Sequence, residues 1–390
     1  MNHDSSKFIY MCPSCHSFQR SDVLTCLNCG AENPHLNPEP VEEEGHRNIT
    51  PTSVASSSVI PFRFTGKSGE YFGIWIVNIF LSILTLGIYS AWAKVRKKRY
   101  FYGNTFLQDA PFDYLAEPTK ILKGRLIAFG VLIVLLGTAY FLLPLALILA
   151  IPAIALFPWL VVRALTFRAR NSSYRNIRFD FGGTYGQALS VFIGRSIITV
   201  LTFGLLYPSQ LYRRNKFLIN KSAYGTTPFT FSGKVGSFYR IYFWQAIGLS
   251  TLIGILASFA ATWGESLLPA SVEPFFQKFI SLSAGLTFLG FVRAAGTNLV
   301  WSHVALGDHR FRSTLLCSEM IWIYLSNAIA IIVSLGLLIP WASIRMARYR
   351  LDHLHVYSSG DLNNFVASAQ ENVDAVGEEI SDFFDFDLGL

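Results

Sequence analysis

The residues best suited to chemistry are four cysteines near the start of the chain. Cys12, Cys15, Cys26 and Cys29 form a C-x2-C-x10-C-x2-C pattern within "CPSCHSFQRSDVLTCLNCG". Each C-x2-C pair places two thiolates on one tight turn, and two such pairs can close a tetrahedron around zinc. So short a segment cannot fold on a hydrophobic core, and metal binding would supply the folding energy. We therefore predict a structural zinc ion in a small zinc-ribbon-like module at residues 10–31.

Two disulfide bonds are the alternative use of the same cysteines. The chain begins "MNHDSSKFIYMC", which has no apolar core, so we expect no cleaved signal peptide. Regular C-x2-C pairs in such a chain are typical of a reducing compartment, which favours zinc over disulfides. We accordingly expect the N-terminus to lie in the cytoplasm.

The rest of the chain has the composition of a membrane protein. Of its 390 residues 52% are hydrophobic and only 15% are charged, against roughly a quarter charged in soluble domains. Most of the apolar runs approach the ~20 residues needed to cross a bilayer core. These runs are residues 71–93, 126–143, 145–162, 188–210, 241–263, 276–292 and 320–342. We predict an all-α integral membrane protein with about seven apolar helical segments, some of them re-entrant, preceded by the zinc ribbon.

Two polar segments flank the predicted membrane domain, which occupies residues 62–360. Residues 32–61 mix proline, serine and acidic residues without periodicity, which predicts a flexible linker. Residues 361–390 contain eight acidic residues and no lysine or arginine. Apolar residues recur there at spacings of three and four, which indicates an amphipathic helix. We expect this acidic tail to dock on the basic loops of the protein itself.

A basic motif occurs three times at the ends of apolar runs. The copies are "TLGIYSAWAKVRKKRY", "TFGLLYPSQLYRRNKF" and "SLGLLIPWASIRMARY", and they align Gly87, Gly204 and Gly336. Upstream, we align the Arg-Phe pairs at 63–64, 178–179 and 310–311. These coincidences predict internal repeats that start near residues 62, 177 and 309, as in transporter-like membrane folds.

The basic residues of this motif lie where a membrane surface would be. Arginine and lysine next to apolar runs are typical of contact with anionic lipid headgroups, and this position favours lipid over nucleic acid as the partner. The residues assigned to the membrane surface are Arg96, Arg99, Arg213, Lys216, Arg345 and Arg348.

A polar residue falls nine positions before each aligned glycine. These residues are Asn78, Arg195 and Asn327, and all three lie inside apolar runs. An arginine within the hydrocarbon costs at least ~2.5 kcal/mol, so Arg195 should face protein or water. The asparagines are candidate hydrogen-bond partners for it. The three positions either join helices to one another or line a polar pathway.

The distribution of charge leaves two topologies open. Segments 94–125, 163–178 and 211–240 are basic and look cytoplasmic by the positive-inside rule. If all seven runs span the bilayer, these segments fall on opposite sides. If the first, fourth and seventh runs enter and return, all basic segments and both termini are inside, and the glycines would suit such broken helices.

No pattern in the sequence predicts catalysis. Gly66, Lys67 and Ser68 lack the earlier glycine that a P-loop requires, because Pro61 occupies its position. The group of His303, Asp308 and His309 fits no standard set of metal ligands. We therefore assign no catalytic residue and expect that the protein is not an enzyme.

Residues 62–390 resemble the YjgN family of bacterial inner-membrane proteins. The resemblance rests on "FRFTGKSGEYF", "TLGIYSAWAKVRKKRYFYGNT", "NIRFDFGG", "GDHRFRS" and the ending "GEEISDFFDFDLGL". It implies a multi-pass protein of the inner membrane, built around a domain of unknown function, and it brings no catalytic residues. The zinc-ribbon-like segment is an addition to that family pattern.

Three functional classes fit these features. The repeats and Arg195 favour a transporter or channel-like protein. The tethered zinc module favours a membrane scaffold or regulator that binds a protein partner through it. A lipid-modifying enzyme has the least support, because no catalytic constellation accompanies the apolar runs.

Overall fold

The protein was analysed as a computed structural model that describes residues 9–11, 18–20, 25, 29, 58–259, 273–358 and 365. The chain divides into two compact units, Met1–Val54 and Ala55–Leu390. In the first unit, strands β1 (Ile9–Met11) and β2 (Phe18–Arg20) pair antiparallel.

The second unit is built on a closed barrel of ten antiparallel strands. Each strand pairs with the one before it and the one after it in the chain, and the last strand pairs with the first. The strands are β3 (Ser58–Phe64), β4 (Thr105–Leu107), β5 (Ala110–Tyr114), β6 (Ser172–Tyr174), β7 (Ile177–Phe181), β8 (Ser222–Tyr224), β9 (Thr227–Phe231), β10 (Val304–Leu306), β11 (His309–Ser313) and β12 (Leu354–Ser358). The barrel is closed by its first and last strands, because β12 pairs with β3, with Val356 opposite Ile60.

Five helical hairpins are inserted into the barrel, one after each odd-numbered strand. Three of them are short, with a helix of 17 residues followed by one of 14. The short hairpins are α1/α2 (Ser68–Leu84, Ser90–Gly103), α5/α6 (Tyr185–Leu201, Tyr207–Asn220) and α9/α10 (Cys317–Val333, Ile339–Asp352). The long hairpins are α3/α4 (Pro118–Phe141, Leu143–Arg170) and α7/α8 (Val235–Phe259, Glu273–Trp301).

The same backbone hydrogen bond closes every helical hairpin at its base. The residue that follows the outgoing strand donates its N–H to the carbonyl of the residue that precedes the returning strand. The five bonds are Thr65 to Asn104 (2.9 Å), Leu115 to Asn171 (2.8 Å), Gly182 to Lys221 (2.8 Å), Ser232 to His303 (3.0 Å) and Thr314 to His353 (2.9 Å). Each hairpin therefore leaves and re-enters the barrel at one point, and all five do so at the same end. We call this end the helix rim.

The opposite end of the barrel, here called the turn rim, carries two-residue turns between the strands. Arg175 and Asn176, which join β6 to β7, both have positive φ, at 47° and 63°. This is the geometry of a type I′ turn, whose twist matches that of antiparallel strands.

Each short hairpin reverses through a glycine in the left-handed region. Gly87, Gly204 and Gly336 have φ of 91°, 83° and 92°. Each donates its N–H to the carbonyl five residues earlier, which ends the first helix as in a Schellman-type cap. The residue before each glycine is apolar and points away from the protein, as shown by Leu86 at 95% exposure and Phe203 at 97%. The tips of the short hairpins are thus almost entirely exposed apolar surface.

The prediction of an all-α protein with about seven helical segments is wrong. The described residues form a ten-stranded barrel, and two of their helical segments, Pro118–Phe141 and Ile151–Arg170, are long and apolar enough to cross a membrane. The barrel was missed because its strands are three to seven residues long and show no long apolar run. The runs predicted at 71–93, 188–210 and 320–342 are each divided by one of the glycine turns.

Candidate functional site in the barrel lumen

The lumen of the barrel contains one phenylalanine from each odd-numbered strand. Each lies two residues before the last residue of its strand. Because side chains alternate between the two faces of a strand, this phenylalanine and the last residue of the strand both point into the lumen. The five residues, here called the phenylalanine ring, are Phe62, Phe112, Phe179, Phe229 and Phe311. Successive ring centroids are 6.1, 6.5, 6.4 and 6.1 Å apart in that order. These are distances at which aromatic side chains attract each other.

Every member of the phenylalanine ring is paired across the ladder with a residue of the next strand. The register joins Phe62 to Leu107, Phe112 to Tyr174, Phe179 to Tyr224, Phe229 to Leu306 and Phe311 to Val356. All ten side chains line one cavity of about 170 Å³. Because these pairs come from all ten strands, the cavity occupies the centre of the barrel.

Two tyrosines bring the polar groups of this layer. The hydroxyl of Tyr174 donates to the carbonyl of Leu107 at 2.7 Å, and that of Tyr224 donates to the carbonyl of Tyr174 at 2.8 Å. Burial raises the pKa of both phenols. Both hydroxyls therefore stay protonated, and their donor capacity is used by the barrel itself, which leaves their rings to form an apolar wall.

At the turn rim, the cavity ends on Phe365 and His309. The ring of Phe365 lies 5.1 Å from Tyr224 and 5.4 Å from His309. His309 is buried, and its Nδ1 lies 2.9 Å from the hydroxyl of Ser358. Burial lowers the pKa of His309, although Asp308 acts in the opposite direction. The imidazole is therefore neutral at neutral pH.

At the helix rim, the cavity reaches side chains of the long and short hairpins. Leu165 of α4, Leu218 of α6 and Trp301 of α8 line this end. Charged groups stand beside them, because Arg168 and Asp180 also line the cavity. The carboxylate of Asp180 accepts a hydrogen bond from Arg170 Nε at 2.8 Å. The arrangement provides an apolar chamber with charges at one mouth.

The predicted zinc ligands fall mostly outside the described residues. Cys12, Cys15 and Cys26 are not among them, and Cys29 is exposed. In the described part of the chain, no three histidine, cysteine or acidic side chains are grouped to hold a metal. The zinc site therefore stays a prediction.

The predicted intramembrane residues occupy one position in three helices. Asn78, Arg195 and Asn327 are each the eleventh residue of the first helix of a short hairpin. Asn327 is buried, and its Oδ1 accepts a hydrogen bond at 3.1 Å from Arg345 of the same hairpin. Asn78 is also buried, and its Oδ1 has no hydrogen-bond partner among the described residues. That the three side chains meet in a common interior stays a prediction.

The helix that carries Arg195 is irregular just before it. Residues Leu189–Gly194 form a π-helical stretch, and Arg195, which is half-buried, is the first residue of the regular helix that follows. Stretches of this kind are frequent at functional sites.

Three of the six predicted membrane-surface residues bind protein groups. Arg99 donates to the carbonyls of Tyr114 and Ala116, each at 3.2 Å, and Arg348 donates to the carbonyl of Gly66 at 2.9 Å. These bonds fasten the returning helices α2 and α10 to the barrel. Arg345 donates to Asn327 and Ser326.

The other three basic residues are exposed. Arg96 and Arg213 project from α2 and α6, and Lys216 Nζ lies 5.9 Å from the centre of the Tyr212 ring. Their contact with lipid headgroups stays a prediction.

The sequence analysis missed the phenylalanine ring, although a signal for it was present. Phe62, Phe179 and Phe311 are separated by the same intervals as Gly87, Gly204 and Gly336. The alignment of Arg63-Phe64 with Arg178-Phe179 was out of register by two residues, since the strands instead equate Phe62 with Phe179.

Comparison with known proteins gives a family match over most of the chain. Residues 59–383 match a family described as "Bacterial protein of unknown function (DUF898)". The chain is 25% identical over 360 residues to "Inner membrane protein YjgN" of Salmonella typhimurium, which covers 79% of this chain and 90% of that relative. The protein of the same name from Escherichia coli O157:H7 is 31% identical over 121 residues, covering 31% of this chain and 30% of the relative. No solved structure matches.

Proposed function

The chain belongs to the DUF898 family of bacterial proteins of unknown function, and we propose that it is an inner-membrane protein that holds its barrel at the cytoplasmic face of the bilayer. In this proposal all five helical hairpins enter the membrane from that face and return to it. A relative that matches along 79% of the chain is named an inner membrane protein, and the outward apolar surface of the helices supports the same location for this chain.

The long hairpin α3/α4 has the dimensions of a pair of membrane spans. Its helices contain 24 and 28 residues, which correspond to roughly 36 and 42 Å against a hydrocarbon core of about 30 Å. Only 11% of the most apolar window of α3 is buried by protein. A surface so apolar and so exposed is suited to lipid and unsuited to water.

The short hairpins are suited to re-entry. Their first helices have 17 residues, or about 25 Å, and then reverse at an apolar tip. The observation that carries the proposal is the common hydrogen bond at the base of all five hairpins, because it returns every hairpin to one rim. This supports the topology in which the first, fourth and seventh apolar runs enter and return. We also infer that the recurring hairpins are an internal repeat.

The barrel itself fits a position outside the hydrocarbon. Its strands have three to seven residues, whereas a transmembrane strand needs about 9–11. With the barrel at the surface, exposed Arg96 and Arg213 would stand near anionic headgroups, which attract such side chains.

Within this membrane protein, we favour a scaffold or binding role without catalysis. The cavity of the barrel is lined by aromatic rings and does not include Arg195 among its lining residues. A transporter-like role is the second candidate, because the π-helical stretch before Arg195 is the kind of irregularity found at functional sites.

The topology can be tested by labelling single cysteines in intact cells. In a chain whose native cysteines are replaced by serine, we would introduce Asp109→Cys at the turn rim, Tyr140→Cys at the tip of α3/α4 and Leu86→Cys at a short tip. An impermeant maleimide should label only Tyr140→Cys from the periplasm, and Asp109→Cys only after the cells are permeabilised. Leu86→Cys should react only in detergent. Leu335→Cys, at the equivalent position of α9/α10, should behave in the same way. Periplasmic labelling of Leu86→Cys would show that the short hairpins span and would overturn the proposal.

We further propose that the N-terminal unit binds zinc and that the resulting zinc module contacts a protein partner. Two C-x2-C pairs are a ligand set of structural zinc sites, and Cys12 and Cys15 lie in the chain between the paired strands β1 and β2. The purified full chain should contain about one equivalent of zinc, and Cys12→Ser with Cys15→Ser should remove it. Zinc content equal in the two proteins would contradict the assignment, and Cys317→Ser is the control that should keep the metal.

A further inference from the structure

We propose that the barrel lumen is a binding site for one unbranched hydrocarbon chain end, of the kind that a lipid acyl chain carries. The inference goes beyond membrane attachment, because it assigns a ligand class to the cavity enclosed by the phenylalanine ring. It does not depend on how the hairpins cross the bilayer.

The width of the barrel gives the first argument. A closed barrel of about eight strands can fill its interior with side chains or hold one small ligand, and the diameter grows with the number of strands. This barrel has ten strands. Five phenylalanines and their five cross-strand partners line its centre and still leave about 170 Å³. A dry apolar cavity of roughly 150 Å³ takes up a molecule of the size of benzene.

The lining gives the second argument, because it selects an apolar ligand. The tyrosine hydroxyls are already bonded to backbone carbonyls within the barrel. The ladder presents rings and aliphatic side chains to the cavity, as in the pairs of Phe229 with Leu306 and Phe311 with Val356. A polar ligand would lose its hydration and find few partners at the middle of this chamber.

The two ends give the third argument, because they set the direction in which a ligand lies. At the turn rim, the ring of Phe365 stands against Tyr224 and His309 and forms the end wall. At the helix rim, the apolar lining by Leu165 and Trp301 is accompanied by the charged Arg168. A chain that carries a polar head would therefore lie with its tail toward Phe365 and its head toward Arg168 and Asp180.

The test uses Trp301 as a reporter in the detergent-solubilised full chain. Bromoalkanes quench tryptophan on contact, and subtracting the signal of the Trp301→Phe variant isolates the residue in the lumen. For short bromoalkanes, quenching of Trp301 should saturate as the concentration rises. Along the series from bromobutane to bromodecane, quenching should disappear beyond a limiting chain length. Phe365→Ala should move that limit to longer chains because it removes the end wall. Leu306→Phe should move it to shorter chains because it fills the middle.

The outcomes separate binding from simple partition into detergent. Quenching that rises without saturation, or a length limit unchanged in both Phe365→Ala and Leu306→Phe, would overturn the proposal. Circular dichroism and gel filtration would establish that each variant is folded, and Val304→Phe replaces Leu306→Phe if the latter is not. Phospholipids brominated within the acyl chain, at the positions that would pass Trp301 when the tail end lies against Phe365, then distinguish the source. Quenching by them assigns the site to membrane lipid, and quenching by bromoalkanes alone assigns it to a free chain.

Discussion

The contribution of the phenylalanine ring to stability can be measured with Phe112→Ala. Phe112 is only 6% exposed. The centroid of its aromatic side chain lies 4.7 Å from that of Tyr174, and 6.1 and 6.5 Å from those of Phe62 and Phe179. Truncation of a buried phenylalanine costs about 3–5 kcal/mol, and each aromatic pair adds about 0.5–1.5 kcal/mol. Because the side chain already borders a cavity, its neighbours have little scope to collapse into the space, and we expect a cost of about 4 kcal/mol.

The matched control is Phe106→Ala, in the adjacent strand β4. Phe106 is half-exposed on the outer face of the barrel, and Arg63 packs over its ring at 5.6 Å from the centroid. Loss of such an exposed contact should cost about 1 kcal/mol. Phe112→Leu keeps most of the apolar volume and should fall between the two.

The assay is thermal unfolding in detergent, with all variants heated at one scan rate because such unfolding is commonly irreversible. At roughly 2 °C per kcal/mol for a chain of this size, we expect Tm to fall by about 8 °C in Phe112→Ala and about 2 °C in Phe106→Ala. Equal shifts in the two variants would refute the view that the inward ring stabilises the barrel, since both remove the same side chain from neighbouring strands.

Two further predictions concern single polar contacts. Arg345→Met leaves the buried Oδ1 of Asn327 without its donor and should cost about 1–3 kcal/mol, whereas adding Asn327→Leu should restore part of the loss; a double variant no more stable than Arg345→Met would contradict this pairing. Burial lowers the pKa of His309 in the folded state, so the unfolded chain binds the proton more readily. Stability should be complete above the unfolded pKa of about 6.5 and should fall as the pH drops below it. Thermal scans of wild type and His309→Gln between neutral and mildly acidic pH measure this, and an identical pH dependence in the two would contradict it.

The breaks in the short hairpins could be predicted from the sequence because they are local. Gly87, Gly204 and Gly336 adopt the left-handed backbone at each reversal, and their positions within the apolar runs are enough to indicate that the helices break there. The information lies within one turn of the chain, where residue type and conformation are directly related.

The barrel could not be predicted in the same way because its pairing is not local. Strand β3 ends at Phe64 and its partner β4 begins at Thr105, while Ile60 pairs with Val356 at the far end of the domain. A strand of three residues has too few positions for alternation to be recognised. The equal spacing of Gly87, Gly204 and Gly336 indicated that the segments share a structure, but not which strands pair.

The hydrogen bond of Asn327 is a contact that the alignment of the repeats did not indicate. Alignment gave Asn78, Arg195 and Asn327 a common register and so suggested that they interact. In the structure Asn327 is bonded to Arg345 on the returning helix of its own hairpin. Equivalent depth specifies where a residue lies along its helix, whereas the face it occupies and the helix packed against that face decide its partner.

A change between copies of the short hairpin identifies what one recurring residue does. The hydroxyl of Tyr100 accepts a hydrogen bond from the backbone N–H of Lys67 at 2.8 Å, and Tyr349 does the same for Leu316 at 2.9 Å, so both tyrosines satisfy a free donor at the start of the first helix. The second copy has a phenylalanine at this position and loses the bond. There Gln187 accepts from the N–H of Thr184 at 3.3 Å, as in a capping box.

The recurring residues therefore serve the construction of the hairpins and the barrel, and specificity should be sought where the five units differ. The phenylalanine ring is the same in every unit, but its cross-strand partners are not. Two of those partners are Tyr174 of β6 and Tyr224 of β8, the strands on either side of β7, and their ring centroids lie 6.2 Å apart. The ring of Phe365 lies against Tyr224 and against His309. This asymmetry gives an otherwise repetitive lumen one distinct wall. A ligand that recognises more than hydrocarbon would be distinguished there, since it is the side of the chamber that the repeat does not determine.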